Sequence, residues 1–398
     1  MRTKATKSST ILLEGLLCSN FLSFGPEVLE IALDPLNVLI GPNGSGKSNL
    51  IEAISLLRSS PTDLGLADTV RKGGGVQEWI WKGNPNGIGR LTARFVLPNS
   101  DVPIAHSILF VAQQQAFQLR SEMLTEINTG PNNANFSTYF VNAANTARIR
   151  IGDVLKELSW EAFNTNDSIL AQRRDPDQYP EITYIGDQYS KIHIYREWAF
   201  GRNTIFREPQ RADMRTDRLE EDFSNLGLFL NRLRRNPQAK KNILGYLRDI
   251  YEGVDDFDIS VEGGTVQVFF TEGNFTIPAT RLSDGTLRYL CLLAILCDPT
   301  PPPLICIEEP ELGLHPDIIP KIADLLVEAS TRTQLIVTTH SDILVDAMTE
   351  RPEAVLVCEK HKGQTQIKRL SKDDLSVWLG KYRLGQLWTR GELGGTRW

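Results

Sequence analysis

The stretch Val38–Ile54, VLIGPNGSGKSNLIEAI, decides how the rest of the chain is read. An apolar run ends at Gly41, Gly44 and Gly46 follow, then Lys47 and Ser48, and the apolar residues that come next recur with a helical period. Strand, glycine-rich turn and helix in that order gather backbone N–H groups and a helix N-terminus around one point, which makes a cradle for phosphate. The spacing GxxxxGK[ST] gives each polar residue a task. Lys47 would reach the β and γ phosphates of a nucleoside triphosphate, and the Ser48 hydroxyl would take one Mg²⁺ position. Pro42, Asn43, Ser45 and Asn49 complete the loop around the ligand.

Such a cradle needs a metal partner and a group that activates water, commonly delivered from the end of a neighbouring strand. The run PLICIEEPELGLHP, Pro303–Pro316, has the right form, because an apolar strand ends there on two adjacent carboxylates. Stripping two like charges of water is costly unless something compensates them. With Glu308 holding Mg²⁺, directly or through its water, and Glu309 accepting the proton of the attacking water, the metal offsets that cost. A strand end at the surface carrying two solvated glutamates is the simpler account, and it is the phosphate loop upstream that favours the catalytic one.

Composition sets the outer bounds. The 398 residues suffice for one large core or two lobes, and 41% hydrophobic with 23% charged residues is the balance of a globular chain, not a disordered one. With 43 basic against 49 acidic residues the net charge is −6, which argues against coating nucleic acid over the whole surface. Residues 191–241 differ, carrying 12 basic and 7 acidic side chains. Arg202, Arg207, Arg211, Arg215, Arg232, Arg234, Arg235, Lys240 and Lys241 are candidates for phosphate contacts with DNA, a solvated helical face being the plainer account. Five scattered cysteines without CxxC spacing point to no disulfide framework and no zinc site, and fit a reducing cytoplasm. No signal peptide and no apolar run near 18 residues is found, so no membrane association is expected.

Short apolar runs from Ile11 to Ile40 and the stretch from residue 91 to about 160 read as strands and hairpins. From 178 to 252 amphipathic helices are expected, including one over EITYIGDQYSKIHIYREWAF, Glu181–Phe200. The strands DFDISVEGG and TVQVFF follow, and then an α/β block from Arg281 to about Leu370. The boundaries expected are 1–160 for an N-terminal half with the phosphate loop and a β lobe, 161–255 for a helical insertion, and 256–398 for a C-terminal half.

The series GPNGSGKSN, RLSDGTLRYLCLLAIL, PLICIEEPELGLHP and LIVTTHSDILVD, in that order, resembles the ABC-type ATPase heads of SMC, RecF and OLD proteins more than a ring-forming AAA+ machine. The resemblance covers residues 11–98 and 256–370. It implies an α/β P-loop NTPase head with a central, mostly parallel sheet, an antiparallel β lobe and a helical insertion, with ATP and Mg²⁺ as ligands and ATP hydrolysis as the activity. Ser283, Asp284, Gly285 and Thr286 stand at the signature position, whose usual form is LSGG followed by Gln or Glu, so Asp284 and Thr286 depart from it. Ser283 and Gly285 open an apolar helix whose first N–H groups can bind an anion. In the family that anion is the γ phosphate held by the opposite subunit, which implies a homodimer closed around ATP. By the same resemblance His340 is the switch histidine, His315 a contact to the partner subunit, and Gln77 a Q-loop ligand to the metal.

The chain carries no coiled coil of SMC length, and fewer than 60 residues follow His340, too few for the TOPRIM nuclease of OLD proteins, so any nuclease would be a separate polypeptide. The ending YRLGQLWTRGELGGTRW resembles that of stand-alone bacterial predicted ATPases, with Trp388 and Trp398 expected to pack on the core. The function these features imply is a dimerising ATPase that acts as a switch on DNA or on a separately encoded effector, in DNA repair or anti-phage defence. The alternatives are the ATPase subunit of a membrane transporter and a weakly hydrolysing ATP-dependent scaffold, the latter favoured by LSDGT.

Overall fold

Every second side chain along GRLTARFV and PIAHSILFVAQ is turned inward, and this period of two builds the largest sheet of the protein. The computed structural model describes residues 11–97, 102–127, 137–143, 146–159, 163–199, 201 and 204–395. Its chain divides into two units, the first running up to Ile192 and including Leu356–Leu370, the second formed by His193–Val355 and Ser371–Glu392.

In the first unit eight strands lie side by side in the order Leu29–Ala32, Gly15–Ser19, Gly89–Val96, Pro103–Gln113, Ala116–Glu126, Thr138–Ala143, Thr146–Ile151 and Val154–Glu157. Each neighbouring pair is antiparallel, with Leu16 opposite Ala93 and Leu91 opposite Ile108. This is the β lobe that the alternating pattern predicts. Gln114 and Gln115, at φ 51° and 67°, close the longest hairpin with the left-handed pair of residues that a right-handed strand twist favours. The same unit holds the Leu36–Ile40 strand, buried at all five residues, beside the hairpin of Val355–His361 and Gln364–Arg369. The Lys47–Ser59 helix follows and buries Leu50, Ile51, Ile54 and Leu57 along one face.

In the second unit three strands run parallel, His193–Tyr195, Leu304–Glu308 and Gln334–Thr338. LICI and QLIVT are apolar almost throughout because both faces of such a sheet are covered. The Asp284–Leu296 helix, buried from Leu287 to its end, and the Ile319–Ala329 helix belong to the same unit. So do the Leu226–Leu233 and Pro237–Leu247 helices and a small antiparallel sheet of Gln210–Arg211, Asp256–Glu262, Thr265–Glu272 and Phe275–Pro278.

The helix expected over Glu181–Phe200 is corrected in detail. It spans Pro180–Tyr189 only, and His193–Tyr195 is a strand that pairs in parallel with Ile305–Ile307. Ile182, Ile185 and Tyr189 keep the helical spacing, but Ile192 and Ile194 then alternate with polar or aromatic neighbours, and the change of period marks the change of structure. Trp388, on the Leu384–Thr389 helix, is 8% exposed in a helix that packs on Asp342–Ala347, as expected. Trp398 and Arg202 lie outside the described residues.

Candidate nucleotide site

The phosphate loop is built as its spacing demands. Gly41 has φ 145° and Gly46 φ 104°. A β-carbon on Gly41 would lie 2.2 Å from the Cys358 carbonyl oxygen, and one on Gly46 would lie 2.2 Å from Thr365 Oγ1, so no side chain fits at either position. Behind the loop runs a chain of hydrogen bonds that sequence reading did not find. Asn49 Nδ2 donates to Ser23 Oγ (2.6 Å), Ser23 Oγ meets Thr365 Oγ1 (2.6 Å), and the Thr365 hydroxyl donates to the Ser45 carbonyl (2.8 Å). The loop is thus braced by the start of its own helix and by the Gln364–Arg369 strand. Lys47, 6% exposed, has its ammonium against the loop's own carbonyl oxygens, 2.8 Å from Gly41 O and 3.2 Å from Pro42 O. Asn43, Gly44 and Ser48 are exposed.

In the second unit the Leu304–Glu308 strand delivers its two carboxylates into a turn of uncommon backbone. Glu309 sits at φ 47°, in the left-handed region, with its N–H donating to the Thr338 carbonyl at 3.0 Å. Its carboxylate Oε1 is 3.7 Å from His340 Nε2. Glu311, from the same PEL segment, accepts the His340 N–H (2.9 Å) and the Thr339 hydroxyl (2.7 Å) on one carboxylate oxygen, which fixes the TTHS turn beside the two glutamates. Two further side chains grip the carboxylate turn from outside its sequence. Trp198 Nε1 donates to the Glu308 carbonyl at 2.7 Å, and Arg288 Nη2 donates to the Glu309 carbonyl at 3.3 Å. The Arg288 guanidinium lies 4.6 Å over the Trp198 ring. Burial pushes the Arg288 guanidinium down to about 10, opposed by the carboxylates of Glu311 and Glu309.

Ser283 caps the Asp284–Leu296 helix, its Oγ accepting from Thr286 N at 3.1 Å and lying 2.8 Å from Thr286 Oγ1. Gly285 follows, packed near the Gly313 carbonyl. Asp284, the departure from the usual signature, is paired with Arg207, whose other donors go to the Thr280 and Gly201 carbonyls. Gln77 is an exposed residue of the short Val76–Trp79 helix in the first unit. His315 is exposed and caps a 3-10 turn, its Nδ1 accepting from Asp317 N at 3.4 Å. The basic segment is largely turned on the protein itself: Arg211 pairs with Asp213, Arg215 with Asp217, Arg232 with Asp298, Arg234 with Asp258 and Lys240 with Asp256.

The sequence matches the family described as "AAA domain, putative AbiEii toxin, Type IV TA system" over residues 36–130 and 165–346, more than half of the chain. The chain belongs to this family. A comparison with curated proteins gives no match. Among solved structures the chain is similar to an SMC head bound to the C-terminal winged-helix domain of ScpA, at 14% identity and TM-score 0.59, covering 91% of this chain and 99% of that one. It is also similar to an SMC head with an extended coiled coil from Pyrococcus furiosus, bound to the C-terminal domain of ScpA, at 14% identity and TM-score 0.57, covering 93% and 99%. An SMC head with coiled coil and joint from Pyrococcus yayanosii matches at 11% identity and TM-score 0.55, covering 93% and 99%. At such identities the likeness is one of fold, and the fold is that of a P-loop ATPase head of the SMC type. Among the described residues no helix is long and apolar enough to cross a membrane.

The residues fit a magnesium-bound triphosphate. A nearly buried ammonium resting on neutral carbonyls gains when an anion arrives, and among the described residues the buried Ser45 Oγ has no hydrogen-bond partner. Positive φ at Gly41, Gly44 and Gly46 lets the loop turn its N–H groups to one side. The exposed Ser48 hydroxyl, one residue inside the helix start, is the oxygen donor a hard cation prefers.

Proposed function

We propose that the chain binds ATP with Mg²⁺ on the Gly41–Asn49 loop and hydrolyses it. In this reading it closes as a homodimer around nucleotide, acting as a switch on DNA or on an effector protein in DNA repair or anti-phage defence. Lys47 and the loop N–H groups hold the phosphates. Ser48 and Glu308 hold Mg²⁺, with Gln77 as a further ligand, and the metal supplies charge neutralisation at the phosphates when bound. Glu309 takes the proton of the attacking water. His340, beside Glu309, senses the γ phosphate, and Ser283 with Gly285 receive the γ phosphate of the partner copy.

The observation that carries the proposal is the turn at Glu309. A non-glycine residue held at φ 47° costs about 1 to 2 kcal/mol, and such strain persists where the surroundings over-determine it, most often at functional sites. Here it brings the second carboxylate to 3.7 Å from the histidine already singled out by the motif series. Loss of a general base costs about 100-fold or more in turnover. Steady-state ATPase assays on Glu309→Gln should therefore show at least that drop with nucleotide still bound, and undiminished turnover by a folded variant would remove Glu309 as the base.

One observation keeps a second reading, the weakly hydrolysing scaffold, in view. Asp284 places a carboxylate where the partner's γ phosphate would dock, and like charges there weaken the contact. Arg207 meets that charge, which favours a competent signature. Single-turnover kinetics with and without DNA separate the two: hydrolysis in a single round, accelerated or not, supports the switch, and ATP left intact over many minutes supports the scaffold.

A further inference from the structure

A column of stacked groups ends on the backbone of Glu308 and Glu309. His193 and Tyr195 have ring centroids 6.1 Å apart, Tyr195 and Phe223 are 5.4 Å apart at 22°, and Phe223 and Trp198 are 5.4 Å apart at 29°. Arg288 closes the column, its guanidinium 4.6 Å from the Trp198 ring centroid. All five groups belong to the second unit. The strand that ends at Tyr195 pairs in parallel with Ile305–Ile307, so the residues that follow it leave the sheet at the same end as Glu308 and Glu309. From there the indole N–H reaches the Glu308 carbonyl at 2.7 Å, and Arg288 reaches the Glu309 carbonyl at 3.3 Å.

We infer that Trp198 and Arg288 are positioning residues for hydrolysis, a two-point clamp on consecutive carbonyls that keeps Glu309 in its left-handed conformation and so aims its carboxylate. The inference rests on the proposed role of Glu309 as the base. A peptide pair held by donors on both carbonyls cannot flip without losing both bonds, and the loss of its carbonyl acceptor by a half-buried indole N–H or a buried guanidinium would add to the penalty. Arg288 remains a cation at neutral pH although burial lowers it, so its bond to the Glu309 carbonyl is charge-assisted. A lysine would not reproduce the clamp, because it lacks the planar face that stacks on Trp198.

The test measures kcat, KM and nucleotide affinity for Arg288→Ala, Trp198→Ala and Trp198→Phe, each alone and combined with Glu309→Gln, with circular dichroism and thermal melting to confirm folding. The clamp predicts that Arg288→Ala and Trp198→Ala lower kcat by about tenfold or more with ATP affinity retained, since the phosphate loop is untouched. Trp198→Phe keeps the stack and loses the N–H donor, so it should fall between Trp198→Ala and the parent. In the Glu309→Gln background none should cause further loss, because all act through the same carboxylate. Parental kcat in folded Arg288→Ala and Trp198→Ala, or losses that add in full to that of Glu309→Gln, would overturn the clamp. Glu309→Gln turning over at the parental rate would be a different failure, sinking the base assignment and the clamp with it.

Discussion

Glu309 pays for its aim in backbone energy, and that makes a prediction specific to one residue. Glycine adopts φ 47° without the steric penalty, so Glu309→Gly should leave thermal stability unchanged or raise it by up to about 1 kcal/mol while abolishing turnover. Calorimetric melting beside an ATPase assay checks this, and a loss of stability larger than about 1 kcal/mol would mean the turn is not strained. The opposite case is Gly41, where any side chain would run into the Cys358 carbonyl. At this scale the sequence was informative about where Gly41, Gly46, Lys47, Glu308, Glu309, Ser283 and His340 stand, because each lies at a fixed offset from a strand end or helix start. It was silent about Trp198, Ser23 and Thr365, which meet their partners only through long-range pairing. Arg288 and Glu311 lay inside quoted motifs, yet nothing in their spacing separates an inward-facing arginine or a bracing carboxylate from a solvated one.

Among the elements, the Pro103–Gln113 and Ala116–Glu126 strands carry a buried polar knot that no local pattern foretells. His106 Nε2 and Glu122 Oε1 are 2.9 Å apart with both side chains fully buried. Ser168 Oγ also reaches Glu122, and the Ile169 N–H donates to its second oxygen at 2.8 Å, so one carboxylate fastens the sheet to the short Ile169–Gln172 helix. His106 faces Leu124 across the ladder and meets Glu122 diagonally, a contact that exists only in this register. Glu122→Ala strands three polar groups and should cost about 3 kcal/mol or more in denaturant unfolding. A loss below about 1 kcal/mol would show that water replaces the carboxylate at no cost. The hairpins themselves were legible from alternation, and the Pro180–Tyr189 helix from its spacing. The His193–Tyr195 strand was hidden because three residues are too few for a period to declare itself, and it is this strand that carries Trp198 to the carboxylate turn.

For the whole molecule, charge and thiols tell how far composition can be trusted. The excess of basic residues in 191–241 is real, but Asp256, Asp258, Asp284 and Asp298, all outside that segment, take up Lys240, Arg234, Arg207 and Arg232. Counting charge along the chain could not see acids supplied from elsewhere in the fold. All five cysteines are buried thiols, and burial pushes Cys297 and Cys358 up to about 12. The folded protein should accordingly resist labelling by a thiol-exchange reagent at pH 8 for many minutes and expose all five thiols on unfolding; rapid labelling of the native chain would contradict that burial. Every role assigned to Lys47, Ser48, Glu308, Glu309 and His340 presupposes nucleotide binding by the Gly41–Asn49 loop. Calorimetric titration of ATP with Mg²⁺ into Glu309→Gln, and into Glu309→Gln carrying Lys47→Ala, tests it most directly. Saturable binding by the first, weakened about 100-fold or more in the second, is the result expected when a charge-assisted phosphate contact worth about 3 kcal/mol is removed. Equal affinity in the two proteins, or no binding by the first, would contradict it.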